Sequence, residues 1–202
     1  MISKDFKRRR DFLLRKIEDN SIVILFSGLE KSRNNDVNYK FRQSSNFFYL
    51  TGINNPSMLL IITKISSRHS TILVCDRPND IDKIWHGQLS SKSSYKKEFE
   101  IQNVLYFDEL KTLELNDAKN IYFEFADENR LNQFIENLNL SQPQSRYLRN
   151  NTARSTKIDL SNLIFDMRRI KSKSEVSLIR HAARISANAH VNIMKSCKSG
   201  LK

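Results

Sequence analysis

The chain has 202 residues, of which 39% are hydrophobic and 28% charged, and its formal net charge is +12. This length and composition suit one folded domain and part of a second, and exclude a chain that is disordered throughout. The start, Met1–Lys7, is charged, and the longest apolar runs, 22–26 and 58–62, are too short to cross a membrane, so the sequence predicts a cytoplasmic protein with no membrane partner.

The first predicted element is a helix that Ser3 can cap and that runs to about Asp19. It contains the densest basic cluster of the chain, Lys7–Arg10, while Phe6, Leu13 and Ile17 form its apolar face. We interpret the cluster as a solvated helix face. Since no aromatic and basic recognition motif accompanies the charge, we predict no nucleic-acid partner.

The next segments predict strands that form one sheet. In chain order they are a buried strand over 21–26, a polar loop over 29–43, a short aromatic strand over 47–50, and two strands over 58–65 and 71–75 joined by a longer loop as an antiparallel hairpin.

The second half of the chain alternates predicted helices and strands. A polar connection over 76–89 holds the only tryptophan. The predicted elements after it are, in chain order, a helix over 90–99, a strand over 104–107, a helix from Asp108 and a strand over 120–125. A helix capped by Asp127, an edge strand over 147–152 and a helix over 159–169 follow. The pattern predicts an α/β fold, with a mixed sheet of about six strands flanked by helices.

The last predicted element is an amphipathic helix that begins with the capping box Ser172–Glu175. Its apolar stripe includes Leu178, Ile185 and Ile193, and we expect a partner domain to cover this stripe. We therefore predict one domain over 1–170, followed by a linker and an unpartnered helix over 171–202.

The sequence shows no constellation that could carry out a reaction by itself. The four histidines lack metal-ligand spacing, the four glycines form no phosphate loop, and we interpret Cys75 and Cys197 as buried free thiols.

Three segments carry a family resemblance: Asp36–Gly52 with its Arg-Gln and paired aromatics, Ile84–Gly87 around the tryptophan, and Arg169–Glu175. Together they resemble the Xaa-Pro aminopeptidases (aminopeptidase P, peptidase family M24B). The resemblance implies the ribonuclease-H-like N-terminal domain of creatinase and aminopeptidase P. Asn55 and Gln88 depart from the family pattern, in which an acidic and a basic residue are usual.

In that family, the resemblance implies, a C-terminal "pita-bread" domain binds two Mn ions through two Asp, one His and two Glu residues. These ligands follow the last helix of this chain, so none can be assigned to it. We expect no metal to bind this chain alone, and we expect the chain alone to be inactive.

The resemblance also assigns candidate substrate-binding residues. Trp85 matches a tryptophan that closes over substrate, Asp36 an acidic residue of the polar network around the site, and Arg146 is a weaker match for which Arg149 is an alternative. A packing or loop-anchoring role for Trp85 stays open. Arg42 is open to interpretation as a structural donor to loop carbonyls.

Two functions are therefore considered. The first is the assembly and substrate-capping part of a Mn-dependent Xaa-Pro aminopeptidase, which acts on Xaa-Pro peptides and forms a homo-oligomer through this domain. The second is a non-catalytic oligomerisation or protein-interaction module.

Overall fold

The computed structural model describes residues 3–66, 68–78, 91–112, 118–140 and 155–200. It divides into two compact units, one extending to Phe165 and the other starting at Asp166. The predicted domain ranges, 1–170 and 171–202, stay a prediction. No described helix is long and apolar enough to span a bilayer.

The first half of the chain begins with a long helix and ends with two long strands. The elements are α1 (Ser3–Lys16), β1 (Ser21–Phe26), the short strands β2 (Ser32–Asn34) and β3 (Val37–Asn38), α2 (Ser45–Thr51), β4 (Leu59–Ile65) and β5 (Arg68–Cys75).

The second half alternates helices and short strands. The elements are α3 (Lys92–Phe99), β6 (Asn103–Tyr106), a 3-10 helix (Phe107–Thr112), β7 (Asn120–Phe123), a 3-10 turn (Phe125–Asp127), α4 (Glu128–Leu140), β8 (Thr156–Asp159), α5 (Ser161–Arg169) and α6 (Lys173–Ser196).

The main sheet has six strands in the order β6-β5-β4-β1-β7-β8. Strand β4 runs antiparallel to both β1 and β5, whereas the pairs β1–β7, β7–β8 and β5–β6 are parallel. The prediction of a mixed six-stranded sheet flanked by helices is confirmed.

The centre of the sheet is apolar on both faces. All six residues of β1 are buried. Ile22, Ile24 and Phe26 belong to a core cluster that includes Leu131 and Phe134 of α4. Because side chains alternate along a strand, the intervening residues of β1 point to the opposite face of the sheet. A strand buried on both faces is typical of sheets that carry helices on either side.

The aromatic segment 47–50 is helical, so the predicted strand is wrong. Helix α2 is closed at both ends: the Phe47 amide donates to the Ser44 hydroxyl (3.5 Å), and Gly52, at φ +76°, donates its amide to Phe48 O (2.8 Å). The β preference of aromatic residues depends on context, and here the caps at both ends of the segment favour a helix instead.

Three smaller predictions need correction. The loop predicted over 29–43 contains β2 and β3, and the β4–β5 turn is shorter than expected because Ile65 pairs with Arg68. The helix predicted from Asp108 is a 3-10 helix. The edge strand predicted over 147–152 lies outside the described residues, among which β6 and β8 form the two edges of the sheet.

The basic cluster on α1 is only half solvated, so its interpretation as a solvated face is wrong for two of its four members. Lys7 and Arg8 are exposed, but Arg9 and Arg10 are 6% and 1% exposed. The Arg10 guanidinium donates to three carbonyls: Leu50 O (2.8 Å), Phe99 O (2.9 Å) and Glu100 O (2.8 Å).

These carbonyls lie at the C-terminal ends of α2 and α3, where helices have unpaired acceptors and a partial negative charge. Burial lowers the pKa of Arg10 to about 10, opposed by the charges of Asp11 and Glu100, so the side chain stays protonated at neutral pH. Arg10 therefore joins three helices through one buried cation.

The last helix begins as predicted. Ser172 caps α6, its hydroxyl accepting from the Glu175 amide (3.3 Å) while the Glu175 carboxylate accepts from the Ser172 amide (2.8 Å). No residue of α6 is buried within the described part of the chain. Cys197 is exposed, contrary to the prediction of a buried thiol, whereas Cys75 is buried as predicted.

Candidate functional site

Strands β2 and β3 form a small two-stranded ribbon, paired through Ser32–Asn38 and Asn34–Val37. All residues of both strands are exposed. Asp36 lies in the turn between them, directly after Asn35, whose φ is +43°. The structure thus places one predicted site residue at the exposed tip of a ribbon.

The ribbon also exposes apolar side chains next to this carboxylate. Val37 and Tyr39 are 54% and 59% exposed. The ribbon is held by polar contacts: Asn38 Nδ2 donates to Glu30 Oε2 (3.1 Å) and the Tyr39 amide to Lys31 O (2.9 Å). The ribbon therefore presents one carboxylate and two apolar side chains to solvent.

Gln43 fixes the base of this segment. Its Oε1 accepts from the amides of Gly28 (2.6 Å) and Ser44 (2.9 Å), and its Nε2 donates to Ile53 O (3.2 Å) and Asn55 O (2.7 Å). The side chain is 7% exposed. One buried amide therefore connects the end of β1, the start of α2 and the loop after α2.

This result corrects the structural alternative considered for Arg42. Arg42 is exposed, and within the described residues the loop carbonyls are bound by Gln43 instead. The Arg-Gln pair of the family motif thus places a structural amide beside an exposed cation.

Replacing Gln43 by leucine should lower the free energy of unfolding by about 2 kcal/mol, because it leaves two amides and two carbonyls of the loops without their partner. Urea unfolding checks the stability, and exchange of the Gly28 amide proton should accelerate. The matched control is Gln133→Leu on the exposed side of α4, expected to change stability by less than about 0.5 kcal/mol. Equal effects of the two variants would contradict this role of Gln43.

Trp85, Arg146 and its alternative Arg149 lie outside the described residues. Their grouping with Asp36 in one site therefore stays a prediction. The structure does describe Arg77 and Lys92, on either side of the Trp85 segment, and both reach one charged cluster at the ends of β5 and β6.

The centre of this cluster is Glu109. Its Oε1 lies 3.4 Å from Arg77 Nη2, and its Oε2 pairs with Lys92 Nζ and accepts from the Tyr106 amide (2.9 Å). Asp108 Oδ2 accepts from Arg77 Nε (3.0 Å) and Nη2 (2.8 Å). Both cations also lie near the Tyr106 ring, with Arg77 Cζ at 4.4 Å and Lys92 Nζ at 4.1 Å from its centroid.

The pKa values of two groups near this cluster are shifted. Lys92 and the Tyr106 amide hold the pKa of Glu109 below its ordinary value, so its carboxylate stays charged at neutral pH. Burial, helped by the charge of Asp76, raises the pKa of Cys75 to about 11. A protonated, buried thiol is a poor nucleophile, so Cys75 does not suggest a catalytic role.

A cavity of about 490 Å³ lies at the same end of the sheet. Its lining includes Phe26, Met58, Phe107 and Phe134, with Arg130 at its polar side. Arg130 Nη1 donates to Ser27 O (3.0 Å) and Asp127 Oδ1 (3.2 Å). The apolar residues that line the cavity belong to separate elements, so no local sequence motif predicts it.

No group of three His, Cys, Asp or Glu residues that could hold a metal ion occurs in the described ranges. The carboxylates that do cluster, Asp108 and Glu109, are neutralised by Arg77 and Lys92. Manganese prefers oxygen ligands that are free to coordinate it, so the described residues do not fit a Mn site.

Known proteins resemble the chain in sequence. A family model described as "Aminopeptidase P, N-terminal domain" matches residues 6–122. The Xaa-Pro aminopeptidase of Escherichia coli K12 is 28% identical over 201 residues, covering 98% of this chain and 46% of that protein. The human Xaa-Pro dipeptidase is 26% identical over 187 residues, covering 92% of this chain and 36% of that protein.

Solved structures of aminopeptidase P are similar to this chain in fold as well as in sequence. Aminopeptidase P from E. coli, in its low-pH form, superimposes with a TM-score of 0.87 at 27% identity, covering all of this chain and 46% of that one. Proline aminopeptidase P II from Yersinia pestis gives a TM-score of 0.85 at 28% identity, covering 47% of its own chain. The 202 residues thus span less than half the length of these relatives.

Proposed function

Because the chain belongs to the family of aminopeptidase P N-terminal domains, we propose that it is the assembly and substrate-capping part of a Mn-dependent Xaa-Pro aminopeptidase. Such an enzyme removes the N-terminal residue that precedes a proline. In this proposal the Mn ligands come from a catalytic domain outside these 202 residues, and the chain alone does not cleave Xaa-Pro peptides. A cytoplasmic location stays a prediction.

The observation that supports this role is the exposed ribbon that carries Asp36. It holds a carboxylate together with the exposed side chains of Val37 and Tyr39, in a two-stranded sheet separate from the main one. A ribbon of this kind can enter a site on another polypeptide and present a charge to it. The amino terminus of a peptide substrate is a cation, and a nearby carboxylate attracts it.

The test uses the 202-residue chain with Mn, alone and mixed with a separately produced catalytic half of a relative. We expect no Xaa-Pro cleavage by the chain alone, and cleavage after assembly with the catalytic half. Turnover by the chain alone would contradict its proposed inactivity, and a mixture that neither associates nor cleaves would contradict the capping role.

Two substitutions examine the predicted residues in the assembled mixture. Trp85→Ala should lower kcat/KM by about tenfold or more, since an aromatic side chain that covers substrate makes a large contribution to binding. Asp36→Asn should mainly raise KM. The matched control, Glu136→Gln, changes an exposed carboxylate on α4 and should leave both constants unchanged.

The second function, a non-catalytic interaction module, is favoured by α6. Its side chains Leu178, Ile185 and Ile193 are 49%, 58% and 67% exposed. Sedimentation tests this alternative: the module should associate with a partner whether or not that partner binds Mn. A chain that sediments only as a monomer, both alone and with the partner, contradicts it.

A further inference from the structure

The cavity of about 490 Å³ is built from the ends of several strands. Phe26 ends β1, and Asp76 and Phe107 directly follow β5 and β6. Met58 directly precedes β4. Because β1, β5 and β6 run in one direction and β4 in the opposite one, all four residues lie at the same end of the sheet. The cavity therefore lies at the carboxyl ends of the parallel strands.

The connections between the strands diverge at this end of the sheet. Helix α3 lies between β5 and β6 in the chain, and β6 is at one edge of the sheet. Helix α4 lies between β7 and β8, and β8 is at the other edge. In open α/β sheets, ligands bind in the crevice at the carboxyl ends of the strands where the connections diverge in this way. The cavity has the same position relative to its strands.

The apolar lining of the cavity is partly buried and partly open to solvent. Phe26, Met58 and Phe134 are buried, whereas Phe107 and Leu29 are 39% and 52% exposed. The volume falls in the range of sites that bind small molecules, roughly 300–1,000 Å³. A small apolar group that enters the cavity would shield its own surface and these two exposed side chains from water, which favours binding.

Arg130 is the cation of this lining, and its guanidinium is held in a fixed orientation. Its Nη1 donates to Ser27 O (3.0 Å) and Asp127 Oδ1 (3.2 Å), and its Cζ lies 4.4 Å from the centroid of the Phe26 ring. Within the described part of the chain, no acceptor contacts its Nε or Nη2. These two atoms form one side of the guanidinium fork, which binds a carboxylate through two parallel hydrogen bonds.

We propose that this cavity is a binding site for a small monocarboxylic acid with an apolar body. The carboxylate pairs with Nε and Nη2 of Arg130, and the apolar body lies against the aromatic lining. Asp76, the other charged residue of the described lining, disfavours a ligand with two negative charges, such as a phosphate monoester or a dicarboxylate. This inference goes beyond the proposed function and does not depend on it.

The experiment titrates the whole 202-residue chain with phenylpropionate and follows the amide shifts by NMR. We expect saturable shifts at the residues that line the cavity, with a Kd of about 1 mM for a ligand of this size. Phenylpropanol, which lacks the carboxylate, and phenylsuccinate, which has a second one, should each bind about fivefold more weakly or worse.

Two sources share this ligand chemistry, acids without an amino group and apolar amino acids, and L-phenylalanine distinguishes them. If it binds more tightly than phenylpropionate, the site takes an amino acid, since Asp76 favours an added positive charge. If it binds more weakly, the site takes an acid without an amino group.

Two variants test the two halves of the site separately. Arg130→Met should weaken phenylpropionate about tenfold and leave phenylpropanol nearly unchanged, because only the acid uses the guanidinium. Phe107→Ala should weaken both ligands about threefold, since it removes apolar contact area. The matched controls, Arg8→Met and Phe165→Ala, change exposed residues that do not line the cavity and should bind like the unmodified chain.

Several results would overturn this assignment. They are equal binding of phenylpropanol and phenylpropionate, an equal effect of Arg130→Met and Arg8→Met, and shifts spread over the basic surface instead of the cavity. An absence of saturable shifts up to about 10 mM phenylpropionate would do the same. If Arg130→Met does not fold, the comparison of the ligands and the Phe107→Ala variant still decide. None of these readouts depends on peptidase activity.

Discussion

Arg10→Met should lower the free energy of unfolding by about 3 kcal/mol and shift the urea midpoint down by about 1 M. Methionine keeps much of the length and the apolar stem of arginine but has no donors. The carbonyls of Leu50, Phe99 and Glu100 then lose their shared partner at the ends of α2 and α3. Leaving such groups buried and unpaired costs more than the hydrogen bonds contributed.

The neighbouring Arg8 provides the control for this variant. Its side chain is 65% exposed and pairs with Asp5 at 3.3 Å. Arg8→Met should change stability by less than about 0.5 kcal/mol, since exposed ion pairs contribute little. Arg10→Lys should lie between the two, because an ammonium cannot reach three carbonyls in the fork geometry of a guanidinium. Equal stability of Arg8→Met and Arg10→Met would show that these carbonyls do not depend on Arg10.

Gly52→Ala should also lower the free energy of unfolding by about 3 kcal/mol, for two reasons whose effects add. The residue ends α2 at φ +76°, a conformation that costs an L-residue roughly 1–2 kcal/mol. An added Cβ would in addition overlap the ring of Phe6 on α1, and such overpacking costs roughly 1–3 kcal/mol. Thermal or urea unfolding measures the loss.

A control and a double variant separate the two causes. Gly200→Ala changes a glycine at φ +89° with nothing near its added Cβ, so we expect only the backbone strain, a loss of roughly 1–2 kcal/mol or less. Phe6→Leu combined with Gly52→Ala should cost less than the sum of the single variants, because the smaller side chain relieves the overlap. Strict additivity would show that backbone strain alone accounts for the effect.

The strongly patterned elements could be predicted from sequence. The run 21–26 and the hairpin strands were identifiable because continuous apolar segments between turn residues have few alternatives. Helix α6 was identifiable because Ser172 and Glu175 form a local capping box. In each case the determining interactions lie within a few residues.

Predictions failed where distant residues decide the structure. Arg9 and Arg10 look like surface charges because no local pattern reveals that Tyr49 O and Leu50 O lie above α1. Helix α2 was missed because its aromatic content outweighed the caps Ser44 and Gly52. Gln43 bonds to residues 10 to 15 positions away, and Glu109 pairs with residues 17 and 32 positions away, so only the fold reveals these contacts.

The candidate site was predicted through family resemblance rather than through chemistry visible in the residues. That route gave Asp36 as a candidate, and the structure places this residue at the tip of the ribbon. The predictions for Trp85 and Arg146 fall outside the described residues. The link between Arg77, Lys92 and Glu109 was absent from the sequence prediction, because an isolated lysine and an acidic pair are common on any protein surface.

The position of β1 in the sheet has a consequence for synthesis on the ribosome. Its partner β4 lies within the first 65 residues, but its other partner, β7, begins only at Asn120. During translation one edge of this wholly buried strand therefore stays unpaired until a later part of the chain has been synthesised. Unpaired strand edges favour aggregation, so this edge of β1 is prone to aggregation until β7 has been synthesised.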